Sequence, residues 1–351
     1  MVLCQKAELI AIVLSALVLS FAQSFTPHHP QSSSFQQQCL TKLSVNLRDA
    51  LEKSRRISQQ QPAVNLLDAL DTSTSTPLCS GEVVPMMWED TSKLLSKNAF
   101  RVGLPPNLLG ELRAYANRMG ITDFYRGLVV EDRPYNPGTE NVIRFQGYKW
   151  MVQRPKSHWA SNMHWTSPAD EEAHDDYLRV LSAGGFDEVL EGVGTYFGLE
   201  ALSAYHLSFI GVSQCEKGFI HADVTESGTM AFNMIIPLIL EDEGPELEIL
   251  SDDETTTRYY KYEYNVASMV GDNALHATAS CDYQEKGTMR MAATVYVGDI
   301  TPGNVNNLLL SLTQAYPPVG NAQHLLDRAG SHWSKSNPSK KLPLQVPVTA
   351  C

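Results

Sequence analysis

The chain has 351 residues, 43% of them hydrophobic, enough for one large core or two modest ones. Its formal charge of -12 is spread over several acidic patches, among them Glu241-Asp242-Glu243 and Asp252-Asp253-Glu254, and no basic face gathers. A nucleic-acid partner is therefore not expected, because phosphate binding needs such a face.

The first residues read as a targeting segment. Lys6 precedes the apolar run Leu9 to Ala22, which suits the core of a signal peptide and is short for a membrane span. Ala22-Gln23-Ser24 offers small residues for cleavage. Phe25 to Arg48 is rich in Ser and Gln and holds no Asp or Glu, the composition of a transit peptide. The junction Ala22-Gln23-Ser24-Phe25-Thr26-Pro27 resembles the two-part plastid presequence of diatoms and related algae, which implies a plastid location; a secretory signal with a disordered linker is the alternative. No stable membrane span is expected once the presequence is removed.

Helical spacing dominates the next part. Pro105 and Pro106 open a segment in which Leu108, Leu109, Leu112, Tyr115, Ala116 and Met119 recur on one stripe, and Gly120 closes it. Ser167-Pro168-Ala169-Asp170 is a second start signal, for a helix that turns Tyr177, Val180 and Leu181 inward and stops at Gly184-Gly185. A third helix follows, with Phe186, Val189, Leu190, Val193 and Phe197 aligned. These are packing helices.

From about Ala201 to Ile300 the texture changes to short β-like pieces: Leu202 to Val212, Gly218 to Asp223, Thr229 to Leu240, Leu247 to Leu250, Arg258 to Tyr264, Ala267 to Val270 and Met289 to Val297. Turn signals such as Gly271-Asp272-Asn273 and Lys286-Gly287 separate them. Short strands without intervening helices predict a jelly roll or barrel. One further helix through Leu308 to Leu312 precedes a tail containing Pro and Lys. The expected division is 1–24 signal peptide, 25–60 transit-like or disordered segment, 61–200 mainly helical support, 201–300 β core, and 301–351 C-terminal helix and tail. The fold class is α+β.

Within the β region, His221 and Asp223 are two apart on an expected strand, so both side chains leave one face and can bind one metal. His276 follows a glycine turn and can bring a second imidazole. Two His and one carboxylate leave open positions on a metal, as in the facial triad of non-haem Fe(II) oxygenases. Arg290 begins the last strand, and a guanidinium grips a carboxylate in a two-point fork. Taken alone, His221 and Asp223 fit a structural histidine beside an acid about as well.

The segment from about 201 to 300 resembles the double-stranded β-helix of the Fe(II)/2-oxoglutarate-dependent dioxygenases. The likeness lies in His221-Ala222-Asp223, Ile235-Ile236-Pro237-Leu238, Glu246-Leu247-Glu248-Ile249, Gly271-Asp272-Asn273-Ala274-Leu275-His276 and Arg290. It implies a jelly-roll or cupin-like core, Fe(II) on His221, Asp223 and His276, and 2-oxoglutarate anchored by Arg290, with dioxygen as the oxidant. It implies conversion of 2-oxoglutarate to succinate and CO2 while a substrate C–H bond is oxidised. Many members carry Ser two residues after the Arg, where this chain has Ala292, so either another hydroxyl such as Thr288 or Thr294 assists or the second carboxylate contact is absent. Asn233 and Tyr205 are further co-substrate candidates, with buried structural roles as their alternative.

The expected substrate is a small molecule, amino-acid-derived in the kainoid-synthase branch of diatoms and red algae that the presequence suggests, oxidised by hydroxylation or ring closure. A prolyl or other protein hydroxylase of the secretory pathway is the second reading, which Arg290 disfavours because such members anchor with Lys. A non-catalytic cupin-like binding module is the third. His174-Asp175-Asp176 repeats the His-x-Asp pattern in a helix and is assigned to a solvated face. His206 reads as a core histidine. His158, Trp159, His164 and Trp165 read as an irregular loop or a pocket wall, and Arg144, Lys149 and Arg154 as surface charges or contacts to an acidic substrate. The six cysteines, including Cys215 and Cys281, read as mostly reduced packing residues.

Overall fold

The computed structural model describes residues 77–87, 97–133, 141–153, 161–199, 201–216, 218–224, 231–240, 246–251, 257–312 and 319–336. The expected presequence, His158, Trp159 and Arg154 lie outside the described residues.

Thirteen strands are described: β1 (Val83–Pro85), β2 (Ala99–Gly103), β3 (Val142–Phe145), β4 (Tyr148–Gln153), β5 (Ser161–Pro168), β6 (Leu202–Cys215), β7 (Ala231–Ile239), β8 (Glu246–Leu250), β9 (Thr257–Lys261), β10 (Val266–Gly271), β11 (His276–Thr278), β12 (Cys281–Asp282) and β13 (Arg290–Asp299). The larger sheet runs β1-β2-β10-β7-β13-β6-β5-β4-β3, with β12 also on β6, and the smaller runs β11-β8-β9. From β6 onward the chain winds back and forth between them. β6, β7, β10 and β13 lie in the larger sheet; the His221 segment, β8, β9 and β11 lie in the smaller, His221 joining through an antiparallel bridge to His276. Such alternation makes a double-stranded β-helix, the expected core.

Strand alternation explains how the layers meet. On β13, Met291, Ala293, Val295 and Val297 belong to the main core, while Arg290, Ala292 and Tyr296 face the other way. On β6, Leu207 and Phe209 take the first side and Ile210 the second. Helices α1 (Leu108–Met119), α3 (Glu171–Ala183) and α4 (Phe186–Phe197) cover the first side. The stack of Tyr177 on Phe209, with centroids 4.8 Å apart, ties α3 to β6. On the second side, Leu247 and Ile249 of β8 pack against Ile235, Val270 and Ala292, closing the small sheet onto the large one.

α1 follows the expectation, ending where Gly120 turns left-handed at φ 78 and its N–H closes on Ala116 and Asn117. A short helix α2 (Ile121–Tyr125) and a π-turn (Arg126–Val130) follow. α3 departs from it. Ser167 does not cap the helix but lies in β5 opposite Met151, and Asp170, extended at φ -138, accepts the N–H of Ala173 at 2.9 Å instead.

Three other expectations are corrected. The 61–200 region, read as mainly helical, also contributes β1 to β5, because its β-forming Tyr, Trp, Met and Val are interleaved with polar residues that blur the alternation. Gly218 to Asp223 forms a single bridge rather than a strand. Past α5 (Val305–Leu312), a further helix α6 (Ala322–Ser336) stands where only a tail is expected. No described helix is long and apolar enough to cross a membrane.

Candidate metal centre

His221, Asp223 and His276 meet. Their ligand atoms all lie within 4.8 Å of one another. Asp223 Oδ1 is 3.3 Å from His221 Nε2, and its Oδ2 is 3.2 Å from His276 Nε2. The backbone makes this meeting possible: His221 N–H donates to His276 O at 3.0 Å and His276 N–H returns the bond at 2.9 Å. A paired position on two adjoining segments brings the imidazoles together, with ring centroids 4.7 Å apart.

The tautomers suit a metal. His221 Nδ1 is 2.8 Å from Phe219 O and His276 Nδ1 is 2.9 Å from Ala274 O. A carbonyl only accepts, so each Nδ1 carries the proton and each Nε2 lone pair is free toward the third ligand. Asn233 Nδ2 donates to Asp223 Oδ2 at 2.5 Å, orienting the carboxylate from β7. Burial disfavours the Asp223 charge, yet His276 and His221 outweigh it and hold the carboxyl well below its usual range. Burial likewise pulls His221 down, but its hydrogen bond and charge interaction with Asp223 and the Phe219 carbonyl together raise it.

The triad opens into a cleft. Met163, Trp165, Ile210, Phe219, Ile235 and Leu247 form its apolar wall, and Asn233, Tyr262, Thr278, Arg290 and Tyr296 also line it. Arg290 is 2% exposed. Its Nη2 donates to Thr278 Oγ1 at 3.4 Å and its Cζ lies 4.8 Å above the Tyr262 ring, while Nε and Nη1 are buried with no hydrogen-bond partner. A buried guanidinium with two unpaired nitrogens has the donors to take an anionic partner.

Arg290 and Asn233 thus join the triad in one cleft, whereas Tyr205 does not. The β6–β13 register passes from His206 opposite Tyr296 to Ala204 opposite Val297, so Tyr205 is the extra residue of a bulge. Its ring packs with Val305 and Leu308 of α5 instead. The hydroxyl expected from Thr288 or Thr294 is also elsewhere. Thr294 hydrogen-bonds the hydroxyl of Ser208, and neither threonine lines the cleft. Thr278 and Tyr262 accompany Arg290 in their stead. Tyr262 could have been found from alternation, since it lies two beyond Tyr260, which is partly buried against the inner core, while Tyr259 is exposed.

The remaining candidates settle as follows. His174 is not on a solvated face. It is 1% exposed, receives Arg328 Nη1 at 2.5 Å, and burial lowers its pKa to about 3. His206 is a core residue, edge-on to Tyr296, and burial lowers it likewise to about 3. His164 and Trp165 belong to β5, not to an irregular loop, and of the two only Trp165 lines the cleft. Arg144 bonds the Gly147 carbonyl on the β3–β4 hairpin, and Lys149 is exposed there.

No protein-family model matches the chain, and no curated protein does. Solved structures similar to it include the non-haem α-ketoglutarate-dependent epimerase SnoN of nogalamycin biosynthesis, at 12% identity over 60% of this chain and 81% of that one, TM-score 0.40. A prolyl-4-hydroxylase from Pseudomonas putida is 14% identical over 59% of this chain and 96% of its own, TM-score 0.34. HygX from Streptomyces hygroscopicus, with nickel and 2-oxoglutarate bound, is 9% identical over 61% and 87%, TM-score 0.37.

Proposed function

We propose that this chain is an Fe(II)/2-oxoglutarate-dependent oxygenase acting on a small molecule. The observation that carries the proposal is the pairing, in one cleft, of a His-Asp-His triad with the buried, unsatisfied guanidinium of Arg290. A bare divalent-metal site accounts for the triad but not for the cation. A co-substrate with two acid ends accounts for both, one end at the metal and the other in the fork of Arg290.

The donor set fits ferrous iron: two imidazoles and a carboxylate leave the remaining positions open. When bound, the iron supplies oxidative decarboxylation of 2-oxoglutarate coupled to attack on a substrate C–H bond. The protein's own residues do the rest. Phe219 O and Ala274 O fix the imidazoles, Asn233 fixes the carboxylate, Arg290 with Tyr262 and Thr278 orients the co-substrate, and the apolar wall of Trp165, Phe219, Ile210 and Met163 receives the substrate and excludes water. Hydroxylation, desaturation and a kainoid-type ring closure share this machinery, and product analysis separates them.

Anaerobic addition of Fe(II) and then 2-oxoglutarate to purified protein should give the visible charge-transfer band of the chelate, and admission of air should yield succinate. His276→Ala should give neither. Absence of band and succinate from the unaltered protein would overturn the proposal. Screening small-molecule extracts against Pro-rich peptides for faster succinate release tests the substrate class, and stimulation by peptide alone would point to a protein hydroxylase.

A further inference from the structure

Cys215 ends β6 and Cys281 begins β12, and the two stand opposite each other in the antiparallel pairing of those strands. Opposite residues project to the same face with Cα atoms roughly 4.5 or 5.5 Å apart, depending on the kind of pair. Both separations lie within the span of about 4.4–6.8 Å that a disulfide bridges. Both thiols are free, Cys215 buried and lining the cleft, Cys281 half-buried.

Their position gives the pair a consequence. Cys215 Sγ donates to Thr278 O at 3.8 Å, and Thr278 Oγ1 receives Arg290 Nη2 at 3.4 Å. The link from β11 to β12 is Ala279-Ser280, pinned by Ala279 N to Glu246 O at 2.9 Å and by Ser280 Oγ to Glu216 O at 2.8 Å. Turning Cys215 Sγ toward Cys281 removes its bond to Thr278. The tension then falls on a short pinned link whose near end carries Thr278 and, two residues earlier, His276.

We propose that Cys215 and Cys281 form a redox-modification site, a reversible cross-strand disulfide that loosens the grip of Arg290 on the co-substrate. The gating half rests on reading Arg290 as the anchor; the disulfide itself does not. The oxidant is a low-molecular-weight disulfide. The more accessible Cys281 loses its proton to solvent and attacks one sulfur of that disulfide, expelling one thiolate, which is protonated. Cys215, deprotonated in turn, attacks Cys281 Sγ and expels the second. Two electrons leave the cysteine pair, one S–S bond forms in the protein, and one is reduced to two thiols. Burial raises the Cys215 pKa to about 11 and also raises Cys281, with Arg290 pulling both the other way, so closure is slow at neutral pH and quickens as pH rises.

The test incubates the metal-free full chain with excess glutathione disulfide, then alkylates, digests and maps it. We expect the peptides holding Cys215 and Cys281 joined and two hydrogens lighter than the reduced pair, with dithiothreitol restoring both. After reloading with Fe(II) anaerobically, the oxidised protein should bind 2-oxoglutarate several-fold more weakly than the reduced one, and Cys281→Ser should show neither the link nor the change. Two alkylated thiols, or two separate glutathione adducts, would overturn the site. A link that leaves 2-oxoglutarate affinity unchanged would overturn the gating. If the link forms but the reduced protein binds no 2-oxoglutarate, the anchor reading and the gating fall together while the disulfide site stands.

Discussion

Asn233 and Arg290 divide the work of the cleft, and the division is testable at single residues. In the proposed function Asn233 would reach the metal only through Asp223, whose Oδ2 it holds at 2.5 Å, whereas Arg290 donates to Thr278 and would offer Nε and Nη1 to the co-substrate. Replacing Arg290 by Gln, which keeps a neutral donor, removes in net about one charge-assisted bond worth about 1.5–3 kcal/mol, so the KM for 2-oxoglutarate should rise by roughly 10- to 100-fold while metal affinity holds. Asn233→Ala should do the reverse, weakening metal binding by about 10- to 100-fold, the usual effect of losing a partner that orients a ligand. Calorimetry of metal binding beside succinate kinetics separates the two. Equal effects of either variant on both quantities would show that the cleft does not divide this way.

Between elements, the decisive contact is one of backbone on backbone. The segment carrying His221 runs so close to β11 that a Cβ on Gly218 would lie 2.2 Å from Thr278 O and 2.9 Å from the Ala277 side chain. Only glycine fits there. Gly218→Ala must push β11 from the His221 segment, stretching the mutual bonds between His221 and His276 and separating their Nε2 atoms. The expected result is at least tenfold weaker metal binding with every ligand still present, alongside about 1–3 kcal/mol of lost stability from overpacking. Unaltered metal affinity in a folded Gly218→Ala protein would mean that this approach does not set the site.

The same element shows what the sequence could and could not reveal. β7, β10 and β13 are readable because their apolar runs end at turn residues, and α1 and α4 because their apolar residues keep one stripe up to a glycine. The triad is readable from His-x-Asp, a glycine turn and a second His. What escapes reading is set by distant partners. The bulge that turns Tyr205 to α5 depends on the register with β13, the burial of His174 depends on Arg328, more than a hundred residues later, and the pairing of Cys215 with Cys281 depends on β12 folding back onto β6. Periodicity is local, and none of these is.

At the scale of the whole molecule, two of the buried histidines, His174 and His206, shape how the fold responds to acid. His174 on α3 and His206 on β6 are nearly inaccessible and lie near the α6 residue Arg328 and Tyr296 respectively, with burial holding each pKa near 3 against about 6.5 in an unfolded chain. Below about pH 6.5 the unfolded chain takes up protons that the folded protein refuses, so stability present above that pH is lost as pH falls toward 3. Each histidine contributes a slope approaching 1.4 kcal/mol per pH unit in that window. His221 runs the other way in metal-free protein, because its pKa is raised and its contribution is present at low pH and lost as pH rises. The informative quantity is therefore the difference between variants. In chemical denaturation of metal-free protein from pH 7 to 4.5, His206→Phe, which keeps a ring against Tyr296, should lose the His206 share and flatten the decline by up to about 1.4 kcal/mol per unit at the acid end. A His206→Phe protein whose stability falls with pH as steeply as the parent's would show that the proton demand lies elsewhere, and that α3, α6 and β6 are not the seam at which acid opens this fold.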